Sequence, residues 1–187
     1  MAARLDVLVE GYADDHVAGT VSLFRDGEAI IVVDPGMVRD RSEILDSLYA
    51  LGVTPADVTD VVFSHHHPDH TLHAALFPRA RFHDFMAIYH GDVWEDRKAD
   101  GFRLGSATHL LQTPGHTDQD ISTVVETSDG VVVLTHLWWT ADGPADDPFA
   151  PDRQQLRAAR ERVLALEPVR IVPGHGPAFV PSPETPL

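Results

Sequence analysis

The chain's 187 residues are 43% hydrophobic and 23% charged, which suits one globular domain with a properly buried core rather than two. Fourteen Lys and Arg against 29 Asp and Glu leave a formal charge of −15; such a surface repels phosphate backbones and anionic lipid, so neither nucleic acid nor a membrane is the expected partner. With no cysteine, disulfides, thiolate catalysis and sulfur-ligated metals are excluded, and any metal has imidazole and carboxylate to hold it.

No stretch approaches the ~18–20 uninterrupted apolar residues of a membrane span. Residues 1–6 lack the basic-then-apolar layout of a signal peptide. The expectation is a single cytoplasmic domain over 1–180, followed by a Pro-rich tail, 181–187, that is frayed.

In chain order, Leu5–Val9 and Thr20–Phe24 are short β-rich runs. Asp26-Gly27 marks a hairpin turn into Ala29–Val33, whose unbroken apolar run suits a strand buried on both faces. Ser42–Leu51 predicts a helix capped by Ser42, with Ile44, Leu45, Leu48 and Tyr49 on one face and Gly52 ending it. Val61–Phe63 is the next buried strand, and it leads into Ser64-His65-His66-His67-Pro68-Asp69-His70, with a short helix to Leu76. Arg81–His83 is a short strand, with a helical turn expected after Asp84. Leu110–Gln112 precedes Thr113-Pro114-Gly115-His116-Thr117, and Ile121–Glu126 with Val131–Leu134 forms a hairpin. Thr140–Pro151 is an acidic loop. Asp152–Leu166 is a helix with Asp152 and Gln155 as a capping pair, and Arg170–Val172 is the last strand, before Pro173-Gly174-His175-Gly176. Interleaved strands and helices with a β-rich first half indicate an α/β (α+β) class with layered sheets.

Histidine is over-represented, with 12 copies. His65, His66, His67, His70, His116, His136 and His175 each sit at or beside a loop that follows a strand-like apolar run. In an extended segment His65, His67 and Asp69 project to the same side, since side chains alternate with period two. Two imidazoles so spaced can chelate one ion, and the turn at Pro68 lets Asp69 and His70 face a second. Crowding these groups without a metal costs solvation energy.

The stretch His65-x-His67-x-Asp69-His70 resembles the H-x-H-x-D-H signature of the metallo-β-lactamase fold superfamily. Asp34 in V-V-D-P-G resembles the early Asp that orients the site, His116 in T-P-G-H-T the third histidine of the first metal, and His175 in V-P-G-H-G the last histidine of the second. The segments Val7–Tyr12, Ala75–Pro78, Thr113–Ser122 and Ile171–Phe179 resemble the superfamily's branch of small metallo-β-lactamase domain-containing proteins. The likeness spans about Leu5 to Phe179. It implies a four-layer αββα sandwich. It further implies one or two divalent ions, zinc first with iron, manganese or nickel compatible, held by His65, His67 and His116 and by Asp69, His70 and His175. The implied reaction is hydrolysis of an ester-like bond (thioester, lactone, phosphoester or amide) in a small-molecule substrate by metal-bound hydroxide, with Asp69 holding the water and moving its proton.

One position departs from that pattern. Where the superfamily carries a metal-bridging Asp, this chain has His136, and a neutral imidazole offers one lone pair where a carboxylate has two oxygens. His136 is read as a terminal ligand, as a non-ligand beside a weakened second site, or as the mark of a site no longer hydrolytic. The last reading gives the alternative function, a metal-binding protein without catalysis. The missing Asp also leaves a 2-His-1-carboxylate iron triad incomplete. Around the ligands, Asp118 or Asp120 is expected to orient an imidazole, and Trp138 or Trp139 to form an apolar substrate wall.

Overall fold

The computed structural model describes residues 3–187; the first two residues of the segment read for a signal peptide and of the 1–180 domain span lie outside it. Strands β1 (Arg4–Val9), β4 (Val21–Asp26), β5 (Ala29–Val33), β6 (Asp60–Val62), β7 (Arg81–His83), β8 (Ala87–His90) and β9 (Val93–Asp96) form a seven-stranded sheet in that spatial order. A second sheet holds β10 (Thr108–Gln112), β11 (Ile121–Thr127), β12 (Gly130–Thr135) and β13 (Arg170–Pro173), and β2 (Tyr12–Ala13) with β3 (Val17–Ala18) makes a small hairpin. The helices are α1 (Ser42–Ala50), the one-turn α2 (Pro68–Thr71) and α3 (Arg153–Leu164). Among the described residues no helix is long and apolar enough to cross a membrane.

Period-two alternation explains the layers. Ile31, Val33 and Val62 of the first sheet meet Leu110, Val125, Val132, Leu134 and Val172 of the second in one core. Their strand neighbours Val32 and Val61 face the other way, onto Ile44 and Leu48 of α1. Likewise Leu111, Val124, Val133 and Ile171 face out onto Leu156, Ala159 and Val163 of α3. Helix, sheet, sheet and helix stack as four layers, the αββα sandwich. The continuous apolar runs are those that cover both faces of a sheet.

Several local expectations shift. Helix α1 has no side-chain cap from Ser42; Asp40 Oδ1 instead accepts the Ser42 N–H at 2.8 Å. Its buried positions are Ile44 and Leu48, while Tyr49 is exposed. Gly52 does end it, at φ 68°. Asp152 caps α3 through the N–H groups of Gln154 and Gln155. After Asp84 the chain forms the β8–β9 hairpin rather than a helical turn, because Asp84 Oδ1 accepts the N–H groups of Met86 and Ala87 at 2.8 Å each and turns the backbone into a strand. The tail, read as frayed, folds back so that the Trp138 indole donates to Pro186 O at 2.8 Å.

Candidate metal centre

The loops that follow β5, β6, β10, β12 and β13 carry Asp34, His65–His70, His116, His136 and His175 respectively. Pro68 at the start of α2 fixes the turn that presents Asp69 and His70. The backbone locks these loops together: Gly19 N–H donates to Asp69 O at 3.0 Å, Thr20 N–H to Gly174 O at 2.8 Å, and Ile121 N–H to Ser64 O at 2.8 Å. Gly36 must lack a side chain, since a Cβ there would lie 1.7 Å from Asp69 O. Gly174 must lack one for a different reason: its Cβ would stand 2.3 Å from the His136 ring.

The ligand-type atoms form two groups, His65 with His67 and His116, and Asp69 with His70, His136 and His175; within each they lie within 4.8 Å of one another. Ring orientation is set from behind. His65 Nδ1 meets Ser64 Oγ at 3.0 Å, His70 Nδ1 meets Asp34 Oδ2 at 2.9 Å, His116 Nδ1 meets Asp147 Oδ2 at 2.7 Å, and His175 Nδ1 donates to Ala18 O at 2.8 Å. Each contact leaves Nε2 free to point inward. His116 Nε2 lies 3.1 Å from His67 Nδ1, and His175 Nε2 lies 3.2 Å from His136 Nε2. His70 Nε2 is 3.1 Å from Asp69 Oδ2 without an aligned hydrogen bond.

His136 therefore falls with the second group. Its ring is also 4.1 Å, centre to centre, from that of His116, so it stands between the groups.

Buried polar atoms without partners test whether a cation fits. His65 Nε2, His70 Nε2 and His136 Nδ1 are all buried and unpaired, and an orphaned buried polar atom costs about 1–3 kcal/mol. The His65 and His70 orphans belong to the convergent ligand set, which is the donor set a divalent ion needs. Burial, reinforced by the surrounding imidazoles, pushes His65 and His136 well below the usual histidine range, into the neutral form whose lone pair binds metal. Burial would raise the Asp69 carboxyl, but His70 beside it holds it low. Asp34, buried behind His70, also accepts the Ser64 N–H at 2.6 Å while adopting φ 53°.

The outer partner of His116 is not where the sequence suggested. Asp118 is exposed. Asp120 is buried, but its oxygens accept the Thr117 N–H at 2.9 Å and the Thr117 hydroxyl at 2.6 Å, holding the loop rather than a ring. Burial raises its carboxyl to about 6. Asp147 takes the orienting role from 31 residues away. Nothing local distinguished it from Asp142 and Asp146 in the same acidic loop. Trp138 is fully buried in the core behind the second sheet. Trp139 faces a cavity of about 310 Å³ over the two groups, lined also by Phe149, Val17, Pro68 and Ala13; Phe149 is a residue the sequence did not flag.

Comparison with known proteins gives the following matches. The profile of the Metallo-beta-lactamase superfamily matches residues 14–84. Metallo-beta-lactamase domain-containing protein 1 of Xenopus laevis is 34% identical over 192 residues, covering 92% of this chain and 79% of that one. The Mus musculus protein of the same name is 36% identical, covering 92% and 73%. Among solved structures, a candidate metallo-beta-lactamase of Thermotoga maritima superposes with a TM-score of 0.74 at 21% identity, covering 97% of this chain and all of that one.

Proposed function

Since the chain belongs to the metallo-beta-lactamase superfamily, we propose that it is a metal-dependent hydrolase of an ester-like bond in a small molecule. We assign His65, His67 and His116 to one divalent ion and Asp69, His70, His136 and His175 to a second, held more weakly because His136 stands where a carboxylate would add charge. Zinc suits these nitrogen-rich sets, which also accept iron, manganese or nickel. The observation that carries the reading is the pair of adjacent ligand groups at the base of an accessible cavity. A bound divalent ion supplies Lewis acidity and makes water a stronger acid near neutral pH.

The chain's own residues supply the rest. Asp34, Asp147, Ser64 and the Ala18 carbonyl fix four imidazoles. Asp69, whose carboxylate lies among the second ligand group, is the proton carrier. In the reaction the water oxygen bonds to the acyl carbon, the bond to the leaving oxygen, sulfur or nitrogen breaks, and the proton lost by the water passes through Asp69 to the leaving group. The rival reading, a metal-binding protein without catalysis, rests on His136 in the bridging position.

Metal analysis of the purified protein, with ester, lactone, thioester and phosphodiester substrates assayed before and after chelation, decides between them. Turnover abolished by chelator and restored by metal is expected. Stoichiometric metal with no chelator-sensitive turnover on any class overturns the hydrolase, and no bound metal overturns both.

A further inference from the structure

The cavity over the ligand groups has a chemical character of its own. Apart from the ligand-type residues its lining is apolar, and among the described residues no Lys or Arg belongs to it. Its walls come from separate segments: Ala13 and Val17 from the β2–β3 hairpin, Pro68 from α2, Trp139 from the loop after β12, and Phe149 from the acidic loop.

Phe149 is 61% exposed, yet it is held in place. Its N–H donates to Asp147 Oδ1 at 2.9 Å, its ring stacks on Trp139 at 5.9 Å and 25°, and it makes T-shaped contacts with the rings of His67 and His116 at 5.9 and 5.5 Å between centres. A lone exposed apolar side chain needs no explanation. One fixed by a buried carboxylate against two candidate ligands is a built surface. Val17, 39% exposed, adds apolar surface from the hairpin, whose tip carries exposed Asp14 and Asp15.

Resting on the hydrolase reading, we propose that this cavity selects an uncharged carboxylic ester, thioester or lactone whose acyl or aryl group lies against Phe149, Trp139 and Val17, and that it disfavours phosphodiesters. A phosphodiester keeps its negative charge in the bound state and, beyond the ions, finds no cation in the lining while meeting acidic residues at the hairpin tip. An apolar acyl group finds apolar walls on a scale of about 310 Å³, at the small end of ligand pockets, which span ~300–1,000 Å³. The hydrolysis is the one balanced above and needs no further reactant.

The test uses zinc-loaded full-length protein and the p-nitrophenyl esters of acetate, butyrate and hexanoate, with bis(p-nitrophenyl) phosphate as the anionic arm. The ketone 4-phenyl-2-butanone serves as a probe that binds without turnover, followed by saturation-transfer NMR. Hexanoate is expected to exceed acetate in kcat/KM by tenfold or more, a scale set by a few added methylenes, with the phosphodiester slowest. Phe149→Ala should narrow the hexanoate-to-acetate ratio about tenfold, acting mainly through KM, and Phe149→Leu should restore much of it. The ketone signal should fall in Phe149→Ala and persist in Phe149→Leu.

If esters turn over without chain-length dependence, or the phosphodiester is fastest, the proposal is overturned while the hydrolase stands. If nothing is hydrolysed but the ketone binds in a Phe149-dependent way, the apolar subsite survives and the hydrolase does not. A ketone signal indifferent to Phe149 overturns the subsite in either case.

Discussion

Oδ2 of Asp147 lies 2.7 Å from Nδ1 of His116, and the same oxygen accepts the Trp139 indole N–H at 2.9 Å. One buried carboxylate thus fixes a candidate metal ligand and the wall of the cavity beside it. Partners of this kind are worth about 10–100-fold in metal affinity. Asp147→Ala is expected to weaken zinc binding within that range, with Asp147→Asn between it and the parent, as read by competition with a chromophoric chelator.

His136 stands 3.2 Å from His175 through facing Nε2 atoms. As a terminal ligand it cannot offer the two oxygens of a bridging carboxylate. His136→Asp is therefore expected to raise the metal content toward two ions per chain, measured by elemental analysis after dialysis against limiting zinc. Unchanged occupancy would mean that His136 already completes a full site.

Gly174 and His136 share one space, since a Cβ on Gly174 would sit 2.3 Å from the imidazole. Gly174→Ala forces the buried ring to move, at a cost of roughly 1–3 kcal/mol typical of overpacking. The double variant Gly174→Ala/His136→Ala should recover part of that loss, a non-additivity expected of residues in contact. Thermal melts of the four metal-free proteins measure it.

Asp84 governs an acid-side pH effect. Burial pushes its carboxyl up, but hydrogen bonds from His66, the Tyr89 hydroxyl and the N–H groups of Met86 and Ala87 hold it at about 2. A folded-state pKa below the unfolded value means that the unfolded chain binds the proton more readily. Its contribution is complete above pH ~4 and is lost as pH falls toward 2, and linkage sets it at roughly 2 kcal/mol at neutral pH. Urea melts of Asp84→Asn should show about that deficit at pH 7, shrinking between pH 4 and 2.

Arg160 is fully buried and donates to the carbonyls of Leu137, Pro144 and Ala145 at 2.9, 2.6 and 2.9 Å. Each carbonyl left unsatisfied costs about 1–3 kcal/mol. Arg160→Met is expected to destabilise the fold by roughly 3 kcal/mol or more. It should also expose the loop carrying Asp147 and Phe149 to limited proteolysis, with cleavage mapped to residues 140–151.

Most strands and the two longer helices were legible from local pattern, whereas the four-layer order followed from the resemblance carried by the histidine motif. Ala29–Val33 reads as doubly buried because Ile31 and Val33 feed one core and Val32 another. The β8–β9 hairpin was not legible: β9 is exposed throughout, so no alternation marks it, and the turn before it depends on which backbone groups Asp84 reaches. The ligand candidates were visible as residue types after strands, whereas Asp118 and Asp120 misled because closeness in sequence to His116 does not set the direction of a side chain.

The sequence by itself determined the layered architecture and the histidine-rich cluster, since strand periodicity and the spacing of His65, His67, Asp69 and His70 are local properties of the chain. Only the tertiary structure decided that Asp147 backs His116, that His136 falls with His175, that Trp138 is core while Trp139 is wall, and that Phe149 stands over the site. Those relations join segments far apart in the chain, and packing of the two sheets and their loops is what brings them together.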